Sequence, residues 1–196
     1  MTDPAPTPRA KWATHRLAAD ALGARLFERL AAVEAARLRE AFLDVDGWGD
    51  LVGAPGVEFE LHDLEGDPVI RAAPEPGDFV RTRPFGKTGG DHWTLVESVA
   101  DGPHQVELVL RPSHDPSAFP PARAVTCHYL DPGAKLTFAL ARDGARVSAR
   151  VHRIGERPND GEGAGGTEAA ARNARLFERA DRGLWDALVD GLLELE

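Results

Sequence analysis

The sequence predicts an α+β domain: a curved antiparallel β-sheet of about seven to nine strands packed on a long C-terminal helix, with a long N-terminal helix. Three observations carry this. Apolar residues recur at helical spacing at both ends of the chain. Between Val57 and Ile154 the pattern changes to strand-like alternation. The alternating runs are joined by turn signals with no helical run between them, which argues for an antiparallel meander rather than βαβ units.

In chain order, residues 1–13 read as a disordered leader, because Pro4, Pro6 and Pro8 suit neither helix nor sheet. Residues 14–196 then form a single domain. A helix is expected over 16–43. Leu22, Leu26, Leu30 and Val33 make one seam, and Phe27, Ala31, Ala35, Leu38 and Phe42 an adjacent one. The segment Asp46-Gly47-Trp48-Gly49-Asp50 ends it.

Turn chemistry then sets a register. Asp143-Gly144 is a strong two-residue hairpin signal. Pairing across it puts Leu140 opposite Val147, Phe138 opposite Ala149 and Leu136 opposite Val151. Pro132-Gly133 puts Tyr129 opposite Leu136, Cys127 opposite Phe138 and Val125 opposite Leu140. Glu65-Gly66 puts Leu61 opposite Ile70, Phe59 opposite Ala72 and Glu60 opposite Arg71. A further hairpin at Asp101-Gly102 puts Trp93, Leu95, Glu97 and Val99 on one face with Val106, Leu108 and Leu110. After a glycine-rich loop over 155–166, Thr167 caps a final helix running to Leu195. Its stripe is Phe177, Ala180, Leu184, Trp185, Leu188, Leu192 and Leu195.

This element order resembles that of helix-grip proteins, in which a curved antiparallel sheet wraps a long C-terminal helix. The expected N-terminal helix stands where that fold opens with a strand. No residue motif accompanies the resemblance, so it carries over no functional residue.

Composition narrows function mainly by exclusion. The formal net charge of -9 disfavours nonspecific nucleic-acid binding, which needs basic surface. No run approaches the length of a membrane span, and Met1–Lys11 lacks the apolar core of a secretory signal. With one cysteine, Cys127, no intramolecular disulfide can form. Together these suggest a cytoplasmic protein with neither nucleic-acid nor membrane partners. Ten carboxylates against one base, Arg71, lie between Asp44 and Asp78, and read as a solvated acidic rim.

Apparent motifs fail on context. Gly86-Lys87-Thr88 resembles the end of a phosphate loop, but Arg81 stands where the first glycine belongs, and a strand follows instead of a helix. Gly161-Glu162-Gly163-Ala164-Gly165-Gly166 has dinucleotide-loop letters without a βαβ unit, and Asp160 and Glu162 would repel a pyrophosphate. Ser113-His114-Asp115 are chain neighbours, which cannot readily converge as a catalytic triad. No histidines stand at metal-ligand spacing. No catalytic residue, metal or cofactor is therefore assigned.

Two features survive. The first is Glu97, a carboxylate phased onto the apolar face, where burial would raise its pKa. The second is a basic strip on the opposite face, formed by His128, Lys135, Arg146, Arg150 and His152, fit for an anion or an acidic partner. The leading expectation is a non-catalytic binding protein. It would hold a small apolar or amphipathic ligand in a cup lined by Trp93, Glu97, Tyr129, Phe138 and Trp185. The alternatives are a protein–protein interaction module (adaptor, chaperone or immunity-type) using an amphipathic helix or the basic strip, and an enzyme using Glu97 or a histidine as acid or base.

Overall fold

The computed structural model describes residues 13–17, 25–31, 35–84, 90–118, 128–144, 146–160, 167–180 and 183–195. The elements in chain order are β1 (Ala13–Leu17), β2 (Arg25–Ala31), α1 (Ala35–Leu43), a 3-10 turn (Val45–Gly47) and α2 (Trp48–Val52). Six strands follow: β3 (Glu58–His62), β4 (Phe79–Arg83), β5 (His92–Asp101), β6 (Gln105–Ser113), β7 (Lys135–Asp143) and β8 (Arg146–Ile154). Helices α3 (Thr167–Ala180) and α4 (Leu184–Leu193) close the chain.

All strands join one antiparallel sheet in the order β1-β2-β8-β7-β6-β5-β4-β3. Strands β3 to β8 form the expected meander. The first strands come back beside the last, since β2 pairs with β8 over seven residues, from Arg25↔Arg153 to Ala31↔Val147. The inner face packs on α4, with α1 and α2 completing the layer. This is a helix-grip-like arrangement.

The N-terminal helix is corrected. Among the described residues of the segment expected to be helical, 16–17 and 25–31 belong to strands and Ala35–Leu43 is α-helix. Leu22 and Val33 of the expected seam lie outside the described residues. The apolar spacing in Arg25–Ala31 is compatible with either structure, and tertiary pairing decides. Without β2, strand β8 would present a row of unpaired backbone N–H and C=O groups as a sheet edge. Gly23 weakens the competing helix by about 1 kcal/mol. In α1 the seam holds: Leu38, Phe42 and Leu43 are buried.

The hairpin faces hold while the partners shift. Strands β7 and β8 close on Asp143↔Arg146, so the turn lies one residue later than Asp143-Gly144. Leu140 pairs with Ala149, Phe138 with Val151 and Leu136 with Arg153. A two-residue slip keeps every side chain on its face, and it sets Leu136 opposite Arg153, which shares the face of Val147, Ala149 and Val151. The Pro132-Gly133 pairing is not formed. The neighbour of β7 is β6, through Leu110↔Leu136 and Leu108↔Phe138, and Val125 and Cys127 lie outside the described residues. Glu65-Gly66 does turn, with Gly66 at φ 85°. The chain returns only as far as the Val69 N–H bond to the Leu61 carbonyl. That hairpin is limited to the His62↔Pro68 bridge, and the strand partner of β3 is β4 through Phe59↔Thr82 and Glu60↔Arg81.

The final helix is two helices. Gly183, at φ 122°, adopts a backbone conformation that no helix contains, and the chain restarts at Leu184. In α4 the apolar stripe is continuous: Leu184, Trp185, Leu188, Val189, Leu192 and Leu193 are all buried. Each such side chain contributes about 1.5–3 kcal/mol relative to exposure.

Candidate functional site

At the level of Phe138 the space between sheet and α4 is occupied by aromatic rings. Trp48 lies 5.6 Å from both Phe59 and Phe138, and Trp185 lies 5.4 Å from Phe138 and 6.0 Å from Phe59. Trp48 is held by a hydrogen bond from its indole Nε1 to the Phe42 carbonyl at 3.1 Å. This part of the cup is core. The polar chemistry lies further along the inner face, towards Thr82 and His92.

Thr82 and His92 are cross-strand partners on the inner side of β4 and β5, in the row that includes Phe59. Both are buried. Beside them lie His128 and Tyr129, in a short segment laid against residues 157–159. The Asn159 N–H donates to the Tyr129 carbonyl (2.8 Å), and the Asp131 N–H donates to the Arg157 carbonyl (2.9 Å). Asn159 Nδ2 donates to the His128 carbonyl at 3.2 Å, and Asn173 Nδ2 of α3 donates to the Asn159 carbonyl at 3.1 Å. The His128 and Tyr129 rings are stacked at 4.5 Å, and His92 meets both edge-on at 5.6 and 5.3 Å.

The hydrogen bonds define the state of His128. Its Nδ1 accepts from the Leu130 N–H at 3.0 Å. Burial, with His92 nearby, holds its pKa well below the usual 6.5, so the ring is neutral. A neutral imidazole that accepts at Nδ1 carries its proton on Nε2. That Nε2–H is buried and has no partner among the described residues. The same is true of the Tyr129 hydroxyl, Trp185 Nε1 and Thr82 Oγ1. Trp185 lies close enough to the Tyr129 hydroxyl to act on it as a neighbouring donor. Burial, reinforced by Glu156, drives its pKa upward, so it keeps its proton.

A buried charge cluster borders this group. Arg153, on the apolar face of β8, places Nη2 at 3.3 Å from Asp186 Oδ1 of α4 and Nε at 3.8 Å from Glu156 Oε2. The side chains of all three are at least nine-tenths buried. Such a cluster holds only as a paired unit, since each charge pays a large desolvation cost.

The expected lining is therefore divided. Tyr129, Phe138 and Trp185 do lie between sheet and helix. Trp93 and Glu97 do not, because a β-bulge between Val96 and Ser98 inverts the phase of β5. Val99 pairs with Leu108 on the inner face, but Trp93 and Leu95 face outward. Trp93 packs edge-on against His62 at 4.8 Å. Glu97 forms ion pairs with Arg111 (2.8 Å) and Lys135 (3.3 Å). Its pKa is lowered, first by the Arg111 hydrogen bond, where the sequence pointed to a raised one. The acid–base role suggested for Glu97 loses its basis.

The basic strip is thinned in the same way. His128 is buried inside, Lys135 is engaged with Glu97, and Arg146 stands opposite Asp143 at the hairpin end. Arg150 and His152 remain on the outer face, in register with Ala139 and Thr137. The acidic 44–78 segment is partly neutralised by its own neighbours: Glu58 pairs with Arg83, Glu60 with Arg81, and Asp78 with Arg71.

Elsewhere, a cleft of about 220 Å³ lies between α1 and the hairpin ends, with Val106, Leu140 and Val147 in its floor. A more open one of about 450 Å³ borders α2. Among the described residues, no group of three or more His, Cys, Asp or Glu could hold a metal ion, and no helix is long and apolar enough to cross a membrane.

No protein-family model matches the chain, and neither does any curated protein. Solved structures do. Protein Ms6760 from Mycobacterium smegmatis is 10% identical, with a TM-score of 0.54, over 92% of this chain and 95% of that one. Hypothetical protein jhp0584 from Helicobacter pylori is 11% identical, with a TM-score of 0.52, over 86% and 84%. At such identities the likeness concerns the fold alone.

Sequence reasoning missed Arg153, His92 and the inward placement of His128. Arg153 was visible as the end of the Val147, Ala149, Val151 series. His128 was hidden, because its segment was assigned to a strand with His128 on the outer side.

Proposed function

We propose that this chain is a non-catalytic binding protein for a small amphipathic ligand held between the sheet and α4. Its polar end lies at the His128–Tyr129–Trp185 group, and its apolar part rests on the neighbouring inner face. The observation that carries the reading is the set of buried polar atoms without partners. Native interiors satisfy nearly all such atoms, and each one left over costs about 1–3 kcal/mol. Several in contact within one cluster are accounted for by a molecule that completes them. The helix-grip-like arrangement supports the reading, because the space between a sheet and its helix can be widened locally without breaking the hydrogen-bond ladder. Among the described residues, the exposed large apolar side chains are Leu64, Ile70 and Ile154.

The test is titration of the purified protein with the neutral apolar dye N-phenyl-1-naphthylamine. Saturable one-to-one uptake with energy transfer from tryptophan is expected. A folded protein that takes up no dye and no other small amphiphile refutes the reading.

A further inference from the structure

The cleft of about 220 Å³ beside α1 lies at the opposite end of the inner face from the His128–Tyr129 group. The inward pairs of β7 and β8 run Leu136↔Arg153, Phe138↔Val151, Leu140↔Ala149 and Arg142↔Val147. Arg153 acts on Tyr129 at one end of this series. Leu140, Arg142 and Val147 line the cleft at the other. Trp48 and Trp185, packed on Phe138, stand between the two ends.

The floor of the cleft is apolar. Val106, Leu140 and Val147 come from the three adjacent strands β6, β7 and β8, a span of about 10 Å across the sheet. The mouth carries Arg39, His104 and Arg142. Arg39 is already engaged: its guanidinium donates to both carboxylate oxygens of Asp101, with Nε at 2.9 Å from Oδ1, and ties α1 to the end of β5. Arg142 is not engaged in this way. Its backbone N–H donates to the His104 carbonyl at 2.8 Å, and its Nε donates to the Gly144 carbonyl at 3.0 Å. Among the described residues it forms no ion pair, so both Nη groups are left for a partner. The neighbouring carboxylate, Asp143, is phased to the other face of the strand, opposite Arg146.

An apolar floor of this width beneath an unpaired guanidinium fits a short alkyl chain that carries a carboxylate. The chain covers the floor, and the guanidinium meets the carboxylate with charge-assisted hydrogen bonds that a hydroxyl matches poorly and an ammonium cannot form. We infer that this cleft is a second binding site, taking a short-chain monocarboxylate with its head at Arg142 and its tail on Val106, Leu140 and Val147. The site is independent of the one between the sheet and α4.

Hexanoate, hexan-1-ol and hexylammonium share a chain and differ in the head, and each is titrated into the isotope-labelled full chain at pH 7 by NMR. Hexanoate is expected to bind about threefold or more tightly than hexan-1-ol, the ratio a charge-assisted pair near the surface supplies, and hexylammonium least tightly. The amides of Val106, Leu140 and Val147 should shift, and added salt should narrow the advantage of hexanoate. Arg142→Gln should bring hexanoate down to the level of hexan-1-ol, whereas Arg175→Gln, the same charge change on α3, should leave it unchanged. Hexanoate no tighter than hexan-1-ol, or indifferent to Arg142→Gln, would overturn the inference. Shifts confined to His128, Tyr129 and Trp185 would also overturn it, while supporting a ligand between the sheet and α4. Absence of hexanoate binding would overturn it too, and would leave that first site to be decided by the dye titration.

Discussion

Gly191 lies where α4 crosses α2, and its replacement by alanine is expected to destabilise the protein although alanine is the better helix former. In an isolated helix the substitution would gain about 1 kcal/mol. Here a Cβ built on Gly191 falls 1.9 Å from the Leu51 carbonyl oxygen, 2.7 Å from its carbon and 3.1 Å from its Cα. All three are backbone atoms, so no rotamer change can clear them. The two helices would have to part by roughly 1–2 Å to restore ordinary contact distances, which forfeits dispersion along the whole crossing. Overpacking that side chains can absorb already costs about 1–3 kcal/mol. Set against the helix-propensity gain, a net loss of about 2 kcal/mol or more is expected for Gly191→Ala. For a chain of this size that is roughly 4–8 °C in Tm. Urea denaturation and a thermal melt followed by circular dichroism would measure it. A variant as stable as the parent would refute the close approach of α2 and α4.

Four further outcomes follow from the site. Tyr129→Phe removes a buried hydroxyl that has no partner among the described residues, so the ligand-free protein should gain about 1 kcal/mol in urea denaturation. The depressed pKa of His128 makes its contribution to stability complete above the ordinary imidazole value of 6.5 and lost as pH falls from there towards the lower folded value. Tm should therefore fall between pH 7 and pH 5, and His128→Gln should flatten that dependence. Asp186→Ala leaves Arg153 buried with Glu156 at 3.8 Å and should cost about 3–5 kcal/mol in the same denaturation assay. The triple change Arg153→Met, Glu156→Gln, Asp186→Leu, which removes all three charges, should recover most of that loss. Glu97→Ala breaks two exposed ion pairs on the outer face. Tm and dye affinity should both stay within error, since such pairs contribute little.

The parts of this fold legible in the sequence were those set by local chemistry. The turns at Glu65-Gly66 and Asp101-Gly102, the apolar face of β7 and β8, and the Trp185–Leu188–Leu192 stripe all follow from residue type and spacing. What was not legible depended on distant partners. Nothing in Arg25–Ala31 announces that β8 needs a neighbour, and an apolar spacing that suits a helix suits that strand equally. Spacing pairs Ile70 with Leu61, yet Ile70 is fully exposed, because the short hairpin ends at the His62↔Pro68 bridge and the Val69 N–H bond to the Leu61 carbonyl. Within the candidate site, Phe138 and Trp185 lie on the faces their spacing gives, whereas Tyr129 reaches the interior through a segment that is not the expected strand partner of β7. Glu97 and Trp93 were misplaced by a single unpaired residue that period-two counting cannot detect.

That bulge has a consequence for how this protein can change over time. The segment of β5 before Glu97 and the segment after it obey opposite rules about which positions must stay apolar, although they form one continuous strand. A lost residue at this point would be felt less as a shortening than as a half-turn of everything on one side of it. Trp93 would be carried into the interior and His92 out of it. Substitutions along β5 can accumulate one at a time, but the length of the strand between Trp93 and Val99 cannot drift without exchanging the inside of the protein for its outside.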